Sequence, residues 1–382
     1  MSGETGAGRW TEVVVDLGAI AHNVEWLRRR VAPAALWAVV KADAYGHGDV
    51  AVARRALAAG AQGLCVALVE EGTRLRLAGL QAPVLVLSPQ PAEQVEQALK
   101  ASLTLTVHAV DQVLDIERVA RRLGLSDVPV QVKIDTGMHR VGAPPELACA
   151  IVDAVTGAAP AVRLDGVFTH FACADDPGHE LTSRQIAAFD AAVATLGGAG
   201  THGVRRHLGN SAAALARPDA HADLVRVGIA LYGIEPGPGV AHLCGELRPA
   251  LTLRSRVSMA KRVGAGEGVS YGWRSVLERP TVVATVPLGY ADGVPRRLAF
   301  TGGEVLIGGR RRRILGVVTM DQLMVDCGDD EVAVGDEVIL LGRQGDEVVR
   351  PEEWAERLGT IPYEIVCGIS ARVPRRWVGA DQ

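Results

Sequence analysis

The chain is organised around the segment Ala38-Val39-Val40-Lys41-Ala42-Asp43-Ala44-Tyr45-Gly46-His47-Gly48. Residues 36–40 form an apolar run, typical of a strand that is buried on both faces. Lys41 ends this run, and a loop with a tyrosine, a histidine and two glycines follows. At the rim of a dry core an amine is more easily neutral, and a neutral amine can form a Schiff base with an aldehyde. The alternative is a lysine that closes the strand and points into water.

Length and composition fit a globular protein of two domains. The chain has 382 residues, of which 48% are hydrophobic and 22% charged. Its net charge of -4 gives no reason to expect binding to nucleic acid or to an anionic membrane. The one basic run, residues 310–313, lies beside two glycines and between apolar segments, so we interpret it as a solvated turn.

Cysteine usage and the absence of targeting patterns suggest a reducing compartment. The six cysteines are far apart and form no Cys-x-x-Cys pair, which argues against a disulfide framework and a zinc cluster. No signal peptide is visible, and no apolar run approaches the ~20 residues that a membrane span needs. We expect a cytoplasmic protein without a metal site and without membrane contact.

The first part of the chain, residues 12–246, alternates short apolar runs with amphipathic stretches. The predicted strands are residues 36–40, 64–67, 84–87, 103–107, 130–134, 164–168, 207–208 and 224–227. Eight strand–helix units favour an α/β fold with a (β/α)8 TIM barrel. An open doubly wound sheet is the alternative.

The pattern changes after Pro236-Gly237-Pro238-Gly239. The remainder consists of short β-branched runs punctuated by glycine, with one predicted helix at residues 351–358. We therefore predict that residues 247–382, together with residues 1–11, form a C-terminal mostly-β domain. An extended run at residues 10–15 could pair with that domain.

Polar residues follow the predicted barrel strands in a consistent way. Residues at or just beyond different strand ends are Lys41, Lys133, Asp135, His170, Asn210, Ser211 and Arg226. In a barrel these ends converge on one face, where active sites are found. The sequence therefore predicts one site on this rim.

Two of these segments suit a phosphate group. Asn210 and Ser211 open a helix with small residues, and Gly228 and Ile229 follow the last strand, which is where barrel phosphate sites are common. The alternative is that Ser211 is an ordinary helix cap. Together with a Schiff-base lysine, a phosphate site indicates pyridoxal 5'-phosphate as the cofactor.

Arg226 suggests what the cofactor would be used for. An arginine donates hydrogen bonds and keeps its proton, so a ring nitrogen facing it stays unprotonated and the ring is a weaker electron sink. Removing and returning one α-proton suits such a ring. The alternative is a structural arginine paired with Asp223.

Inversion at an α-carbon needs a second acid–base group opposite Lys41. A tyrosine can serve if nearby positive charge lowers its reference pKa of about 10. The residues alone do not choose among the five tyrosines: Tyr45, Tyr232, Tyr271, Tyr290 and Tyr363.

The motifs together resemble the alanine racemase family, pyridoxal-phosphate enzymes of bacterial cell-wall precursor supply. Besides residues 38–48, the matching segments are Lys133-Ile134-Asp135-Thr136-Gly137-Met138-His139-Arg140, Thr169-His170-Phe171-Ala172, Asn210-Ser211-Ala212-Ala213, Arg226-Val227-Gly228-Ile229, Leu231-Tyr232-Gly233, Val269-Ser270-Tyr271-Gly272, Gly289-Tyr290-Ala291-Asp292-Gly293, Met320-Asp321-Gln322 and Ile361-Pro362-Tyr363-Glu364. The matches occur in family order and span nearly the whole chain.

The resemblance implies roles for individual residues. Lys41 would form the Schiff base and act on D-alanine, and Tyr271 would act on L-alanine. The phosphate-binding and other cofactor residues would be Tyr45, Asn210, Ser211, Gly228, Ile229 and Tyr363, with Arg226 at the ring nitrogen and His170 near the ring. The substrate-binding residues would be Arg140, Met320, Tyr290 and Asp321. Lys133 matches a lysine that is carbamylated in many family members.

The resemblance also implies a head-to-tail homodimer that supplies D-alanine for peptidoglycan, with Tyr271 reaching the partner's site. Three alternatives remain open. A decarboxylase of the same barrel type would place a carboxylate at the ring nitrogen, which Arg226 speaks against. A non-catalytic protein that binds pyridoxal phosphate or D-cycloserine would usually lack the second domain. A racemase of broader substrate range is not excluded.

Overall fold

The computed structural model describes residues 8–196 and 203–379. The chain forms two compact units, one from Ala19 to Arg248 and the other from the residues up to Gly18 with those from Pro249 on. The division expected from the sequence ran at residues 11 and 246. Residues 1–7 and 380–382 of the expected β-rich domain lie outside the described residues.

The chain begins with β1 (Glu12–Asp16) and α1 (Leu17–Val31). The next strands are β2 (Ala35–Val39), β3 (Gly63–Val66), β4 (Val84–Val86), β5 (Thr104–Val107), β6 (Val128–Lys133), β7 (Val162–Phe168), β8 (Arg205–His207) and β9 (Leu224–Val227). The helices among them are α3 (Asp49–Ala58), α4 (Val69–Leu77), α5 (Ala92–Lys100), α6 (Val110–Arg122), α7 (Ala148–Gly157), α8 (Glu180–Thr195) and α9 (Ser211–Ala216), and the label α2 (Lys41–Gly46) denotes a left-handed turn.

Strands β2 to β9 form a nearly closed parallel barrel. Their order is β8-β7-β6-β5-β4-β3-β2-β9, so β2 pairs with both β3 and β9. Near the seam, the Asp223 N–H donates to the Arg206 carbonyl (3.0 Å) and the Arg226 N–H donates to the Gly209 carbonyl (2.9 Å). The predicted (β/α)8 barrel is confirmed. The open-sheet alternative is wrong because the first barrel strand, β2, pairs with the last, β9, and backbone hydrogen bonds link the β8 and β9 segments across the seam.

The barrel core follows from the apolar pattern of its strands and helices. Every residue of β3, β4 and β5 is buried, as expected for parallel strands covered by helices. Helix α6 buries Val113, Ile116, Val119 and Ala120, which lie on one face at helical spacing. Each such valine or isoleucine stabilises the fold by about 1.5–3 kcal/mol when fully buried.

The second unit is mostly β. After the barrel come β10 (Leu251–Arg256), β11 (Met259–Val263), β12 (Gly268–Val269), β13 (Ser275–Val276), β14 (Thr281–Val286), β15 (Glu304–Ile307), β16 (Arg310–Leu315), β17 (Leu323–Asp326), β18 (Glu337–Gln344), β19 (Glu347–Val349), α10 (Pro351–Leu358), α11 (Pro362–Cys367) and β20 (Arg375–Val378). One sheet runs β11-β14-β17-β16-β15-β18-β10-β1-β20, with β19 paired to β18, and β12 pairs with β13. The predicted β-rich second part is confirmed, and α11 is a helix that the sequence pattern did not predict.

Strand β1 joins this sheet, because it pairs antiparallel with β10 and parallel with β20. This pairing moves the first boundary between the units to Gly18. The extended run predicted at residues 10–15 therefore does contribute to the β-rich part of the chain.

The interpretation of residues 310–313 as a solvated turn is wrong. The four arginines begin β16, and the turn consists of Gly308 and Gly309, whose φ angles of 62° and 71° suit a two-residue hairpin. Acidic side chains neutralise the strand: Arg311 pairs with Glu347 (2.9 Å) and Glu353 (2.8 Å), and Arg312 pairs with Asp330. The basic run is stable in a strand because neighbouring segments supply its counter-charges.

The part of the chain that the structure describes lacks two kinds of feature. No helix there is long and apolar enough to cross a bilayer. No group of three or more His, Cys, Asp or Glu side chains is arranged to hold a metal ion.

We predict that Gly63→Ala destabilises the barrel. Gly63 pairs with Trp37 of β2, and an added Cβ would overlap the buried Trp37 ring. Overpacking of this kind lowers the free energy of unfolding by about 1–3 kcal/mol. Gly157→Ala is the control, since its Cβ would meet nothing within 4 Å. Equal denaturation midpoints for the two variants would contradict the packing.

Candidate active site

The barrel brings the predicted polar residues to one rim. Lys41 stands two residues after β2, Lys133 is the last residue of β6, and His170 follows β7 by two residues. Arg226 lies within β9, one residue before its end. Because all eight strands are parallel, these positions share the carboxyl-terminal face of the barrel.

The residues after Lys41 form a left-handed turn. Ala42, Asp43, Ala44 and Tyr45 all have φ near 53° and ψ between 40° and 51°. For residues other than glycine this conformation costs roughly 1–2 kcal/mol each. A turn of four such residues persists only where its surroundings determine it, and such sites are often functional.

Hydrogen bonds within the loop hold part of the turn. The Ala44 N–H donates to the Val40 carbonyl (2.9 Å), and the Gly48 N–H donates to the Asp43 carbonyl (2.9 Å). The buried His47 Nδ1 lies 3.0 Å from the Ala44 carbonyl and 2.9 Å from the Tyr45 carbonyl. Since both neighbours are acceptors, Nδ1 carries the proton and donates to them.

Tyr232, in the short turn after β9, supports the left-handed turn. Its ring is fully buried, with its centre 5.1 Å from that of Tyr45 and 4.5 Å from that of His47. Its hydroxyl donates to the Val39 carbonyl at the end of β2 (2.8 Å). The side chain of Tyr45 is thereby fixed beside β9.

Tyr45, Ser211 and Gly228 meet at a small cradle. The Ser211 Oγ accepts the Gly228 N–H (2.9 Å), and a Cβ on Gly228 would stand 2.5 Å from the Tyr45 hydroxyl. The cap of α9 is Asn210, whose side-chain oxygen accepts the Ala213 N–H (3.0 Å). Ile229 is buried in the short turn that follows Gly228. Only a residue without a side chain fits at 228, and hydroxyl and backbone groups around it suit a phosphate.

Arg226 is a buried cation held by neutral groups. Its Nη1 donates to His207 Nδ1 (2.6 Å), and its Nη2 donates to the Thr169 carbonyl (2.8 Å) and to His170 Nδ1 (3.1 Å). Burial lowers the pKa of Arg226 to about 10, so it stays charged at neutral pH. The expected alternative, pairing with Asp223, is wrong, because that carboxylate accepts from the Arg206 backbone (2.7 Å).

Both histidines beside Arg226 are neutral acceptors. Burial, and then the charge of Arg226, lowers the pKa of His170 and of His207 well below the ordinary range. Because Arg226 always donates, each ring accepts at Nδ1 and carries its proton at Nε2. His207 Nε2 donates to Gln131 Oε1 (2.8 Å), and Gln131 Nε2 donates to Asp165 Oδ2 (2.9 Å).

Sequence reasoning missed these supporting residues. Gln131, Asp165 and His207 are buried residues of the barrel strands, and Tyr232 is buried in the short turn that follows β9. A polar residue inside an otherwise apolar strand was the only available signal for Gln131 and Asp165. That signal does not identify a partner.

Lys133 lies in a crowded positive environment. Burial, followed by the charges of Arg226 and Arg140, lowers its pKa to about 8. Its Nζ lies 5.6 Å from the centre of the Phe168 ring, and the Arg226 Cζ lies 5.2 Å from the same ring. About a tenth of this amine is therefore unprotonated at pH 7, far more than for an ordinary lysine with a pKa of about 10.4.

The loop that carries Arg140 is shaped by one carboxylate. Asp135 Oδ1 accepts the N–H groups of Gly137 (3.0 Å), Met138 (3.0 Å) and His139 (3.1 Å). These bonds keep the pKa of Asp135 below its usual value despite partial burial. Arg140 follows this turn and is exposed.

The remaining predicted residues belong to the β-rich unit. The Tyr290 N–H donates to the Thr319 carbonyl (2.9 Å) and the Ala291 N–H to the Met320 carbonyl (3.0 Å), which brings Tyr290, Met320 and Asp321 together. Tyr271 follows the β12 strand and is 75% exposed, and Tyr363 lies in α11. Asp321 pairs with Arg372 (2.9 Å).

Comparisons with known proteins agree over both units. The N-terminal domain of alanine racemase matches residues 15–236, and its C-terminal domain matches residues 250–377. An alanine racemase of Thermobifida fusca is 45% identical over 97% of this chain and 99% of its own length. One of Frankia casuarinae is 46% identical, covering 96% of this chain and 95% of its own. The crystal structure of alanine racemase from D-cycloserine producing Streptomyces lavendulae has a TM-score of 0.92 and 41% identity, covering 98% of each chain.

We predict that Lys133 titrates near pH 8. The chain has only four lysines, Lys41, Lys100, Lys133 and Lys261, so 13C-lysine NMR would resolve each one. Arg140→Gln removes one of the charges that lower the pKa of Lys133 and should raise it. An ordinary lysine pKa of about 10.4 at position 133 would contradict the crowded environment.

Proposed function

Because this chain belongs to the alanine racemase family of isomerases, we propose that it interconverts L-alanine and D-alanine with pyridoxal 5'-phosphate as cofactor. The observation that carries the proposal is the arrangement of Lys41, Arg226 and the cradle at Gly228 on one barrel rim. Family membership is also the basis for proposing that the D-alanine is used for peptidoglycan.

The residues present fit this cofactor. The cradle of Tyr45, Ser211 and Gly228 offers hydroxyl and backbone groups and has no room for a Cβ, so it suits the phosphate. Lys41 would hold the aldehyde carbon, and Arg226 would face the ring nitrogen. When bound, the cofactor supplies an electron-withdrawing system that acidifies the α-proton of an attached amino acid.

Arg226 favours racemisation over decarboxylation. It donates hydrogen bonds and is charged at neutral pH, so a ring nitrogen in front of it remains unprotonated. His207 and His170 accept from its guanidinium and hold it in place. A carboxylate at this position would instead accept from a protonated ring nitrogen and stabilise it, as the decarboxylase alternative requires.

Two groups would exchange protons with the substrate. Lys41 would act on the α-carbon of D-alanine, and Tyr271 of the partner subunit would act on L-alanine from the opposite face. His170 accepts from Arg226 at Nδ1, which leaves its Nε2–H to support the phenol oxygen. Removal at one face and return at the other inverts the configuration.

A homodimer is supported by exposed apolar side chains of the β-rich unit. Tyr271 is 75% exposed, Trp273 60% and Met320 53%. Large apolar side chains exposed in one region mark an interaction surface. We propose that a second copy covers them head-to-tail, so that the partner subunit contributes Tyr271 to each barrel.

The substrate carboxylate would be bound by Arg140 and the Met320 backbone, with Tyr290, Asp321 and Tyr363 near the entrance. Arg140 is the exposed cation of the Asp135-ordered loop. Asp321 is oriented by Arg372 (2.9 Å). A small pocket around the substrate side chain would favour alanine, while a larger pocket would admit other amino acids and give a racemase of broader substrate range.

We predict that L-alanine incubated with the holoenzyme in heavy water yields D-alanine deuterated at the α-carbon. Chiral chromatography and mass spectrometry measure both products. Racemisation of serine or leucine at a comparable rate would establish the broader racemase. Cofactor binding without any exchange would establish the non-catalytic alternative and reject the proposal.

Variants at the two proton-exchanging positions separate their roles. Lys41→Ala should lose covalent cofactor attachment and activity, whereas Tyr271→Phe should keep the bound cofactor and lose turnover of L-alanine by about 10²–10⁴-fold. The absorbance of each variant shows whether the cofactor is bound, and native mass spectrometry shows whether the dimer is intact. Unchanged turnover in Tyr271→Phe would reject Tyr271 as the second acid–base group.

We also propose that Lys133 is carbamylated. A pKa of about 8 provides the neutral amine that attacks carbon dioxide, and loss of a proton then gives a carbamate. This change replaces a cation that repels Arg226 and Arg140 with an anion that attracts them. The carbamate would hold Arg140 towards the substrate.

NMR with 13C-bicarbonate tests this modification. We predict a carbamate signal that grows as the pH rises through 8, because more of the amine is then neutral. Lys133→Gln should lose the signal, while Lys100→Gln should keep it. A signal that is the same in both variants would contradict carbamylation at Lys133.

A further inference from the structure

The carboxylate of Glu71 connects two loops of the barrel rim. Its Oε1 accepts the Ala42 N–H (2.7 Å), next to Lys41. Its Oε2 accepts the N–H groups of Ala67 (2.7 Å) and Leu68 (3.1 Å), between β3 and α4. Glu71 is only 9% exposed, so its carboxylate is held in place by its surroundings. The lysine loop is thereby attached to the neighbouring strand–helix unit.

Ala42 is the point where the left-handed turn begins. Bonds at Ala44, His47 and Gly48 also hold the turn, and they lie further along the chain. Ala42 itself is exposed, so water could replace an acceptor at this N–H without fixing its position. A buried carboxylate on a helix provides an acceptor in a fixed place.

Helix α4 holds the end of the same loop. Arg74, one turn after Glu71, donates from Nε to Asp49 Oδ2 (2.6 Å). The Asp49 N–H donates in turn to Asp43 Oδ1 (3.0 Å) inside the left-handed turn. One helix therefore restrains the loop both at its first residue and through the start of α3.

We propose that Glu71 is a positioning residue that orients the amine of Lys41 for covalent attachment of the cofactor. This inference rests on the proposed function of Lys41 and adds a residue that touches neither cofactor nor substrate. Glu71 acts through the Ala42 N–H. Two members of the phosphate cradle, Ser211 and Gly228, lie on other segments, and the third, Tyr45, has a support of its own because its ring packs on Tyr232.

The chain contains a matched control at the preceding position. Glu70 is exposed in the first turn of the same helix, and its carboxylate accepts from Gln94 (2.6 Å). Glu70→Gln removes the same charge near the same helix N-terminus as Glu71→Gln. It leaves the bonds to Ala42, Ala67 and Leu68 intact.

The experiment compares two cofactor forms. Pyridoxal phosphate can attach to Lys41, whereas pyridoxine phosphate lacks the aldehyde and binds only non-covalently. Glu71→Gln should slow the attachment of pyridoxal phosphate to the apoprotein by about tenfold, the effect of losing one hydrogen bond to a charged group. Its affinity for pyridoxine phosphate should stay within about twofold, because Ser211 and Gly228 are untouched and the Tyr45 ring stays packed against Tyr232. Glu70→Gln should match the wild type in both measurements.

Hydrogen exchange gives a readout without any cofactor. In the Glu71→Gln apoprotein, amides of residues 41–48 should exchange faster than in the wild type, while those of β6 and β7 should not change. Glu71→Asp is the second variant if Glu71→Gln does not fold. Aspartate keeps the charge at the helix N-terminus, but its shorter side chain does not reach the Ala42 N–H. This variant should therefore also slow the attachment of pyridoxal phosphate.

The outcomes separate this inference from the proposed function. Attachment at the wild-type rate in a folded Glu71 variant, with unchanged exchange at residues 41–48, would overturn the role of Glu71. Equal losses of attachment and of pyridoxine phosphate affinity would also overturn it, because they would indicate a general defect. A wild-type protein that binds neither compound would instead overturn the proposed cofactor.

Discussion

The barrel brings several cations together in one largely buried region. Parallel strands end on the same face, so Lys41, Lys133 and Arg226 share that rim whatever their spacing in sequence. Arg226 is surrounded by carbonyls and neutral histidines, and its charge helps to lower the pKa of Lys133 to about 8. Such a site has an excess of positive charge, which suits anionic ligands: a phosphate, a substrate carboxylate and, on Lys133, a carbamate.

Strain beside Lys41 is the second constraint. The left-handed turn costs several kcal/mol, roughly 1–2 for each of its four residues, and it is offset by bonds from outside the loop. Tyr232 supports it from the turn after β9, and Glu71 restrains it from α4. The left-handed turn ends the chain's course along β2 abruptly and leaves Lys41 and Tyr45 in defined positions on the rim.

The sequence was enough to predict the barrel but not the local geometry of its site. Periodicity placed all eight strands, because apolar runs and helical faces are local properties. The left-handed turn after Lys41 was missed, since alanines and a tyrosine adopt it only under tertiary contacts. Gln131, Asp165 and Glu71 were missed for a related reason: a polar side chain in a single sequence does not show its partner. The sequence pattern of the β16 arginines indicates an exposed turn, because the acidic residues that pair with them are distant along the chain.

The central claim is that Lys41 and the phenol of a neighbouring subunit serve one substrate carbon. Mixing Lys41→Ala and Tyr271→Phe subunits, each inactive alone and carrying a different affinity tag, tests it directly. A hybrid dimer would contain one site with both changes and one site with neither, so statistical exchange should restore about a quarter of the wild-type activity. Verified hybrids that remain as inactive as the two parents would contradict the claim.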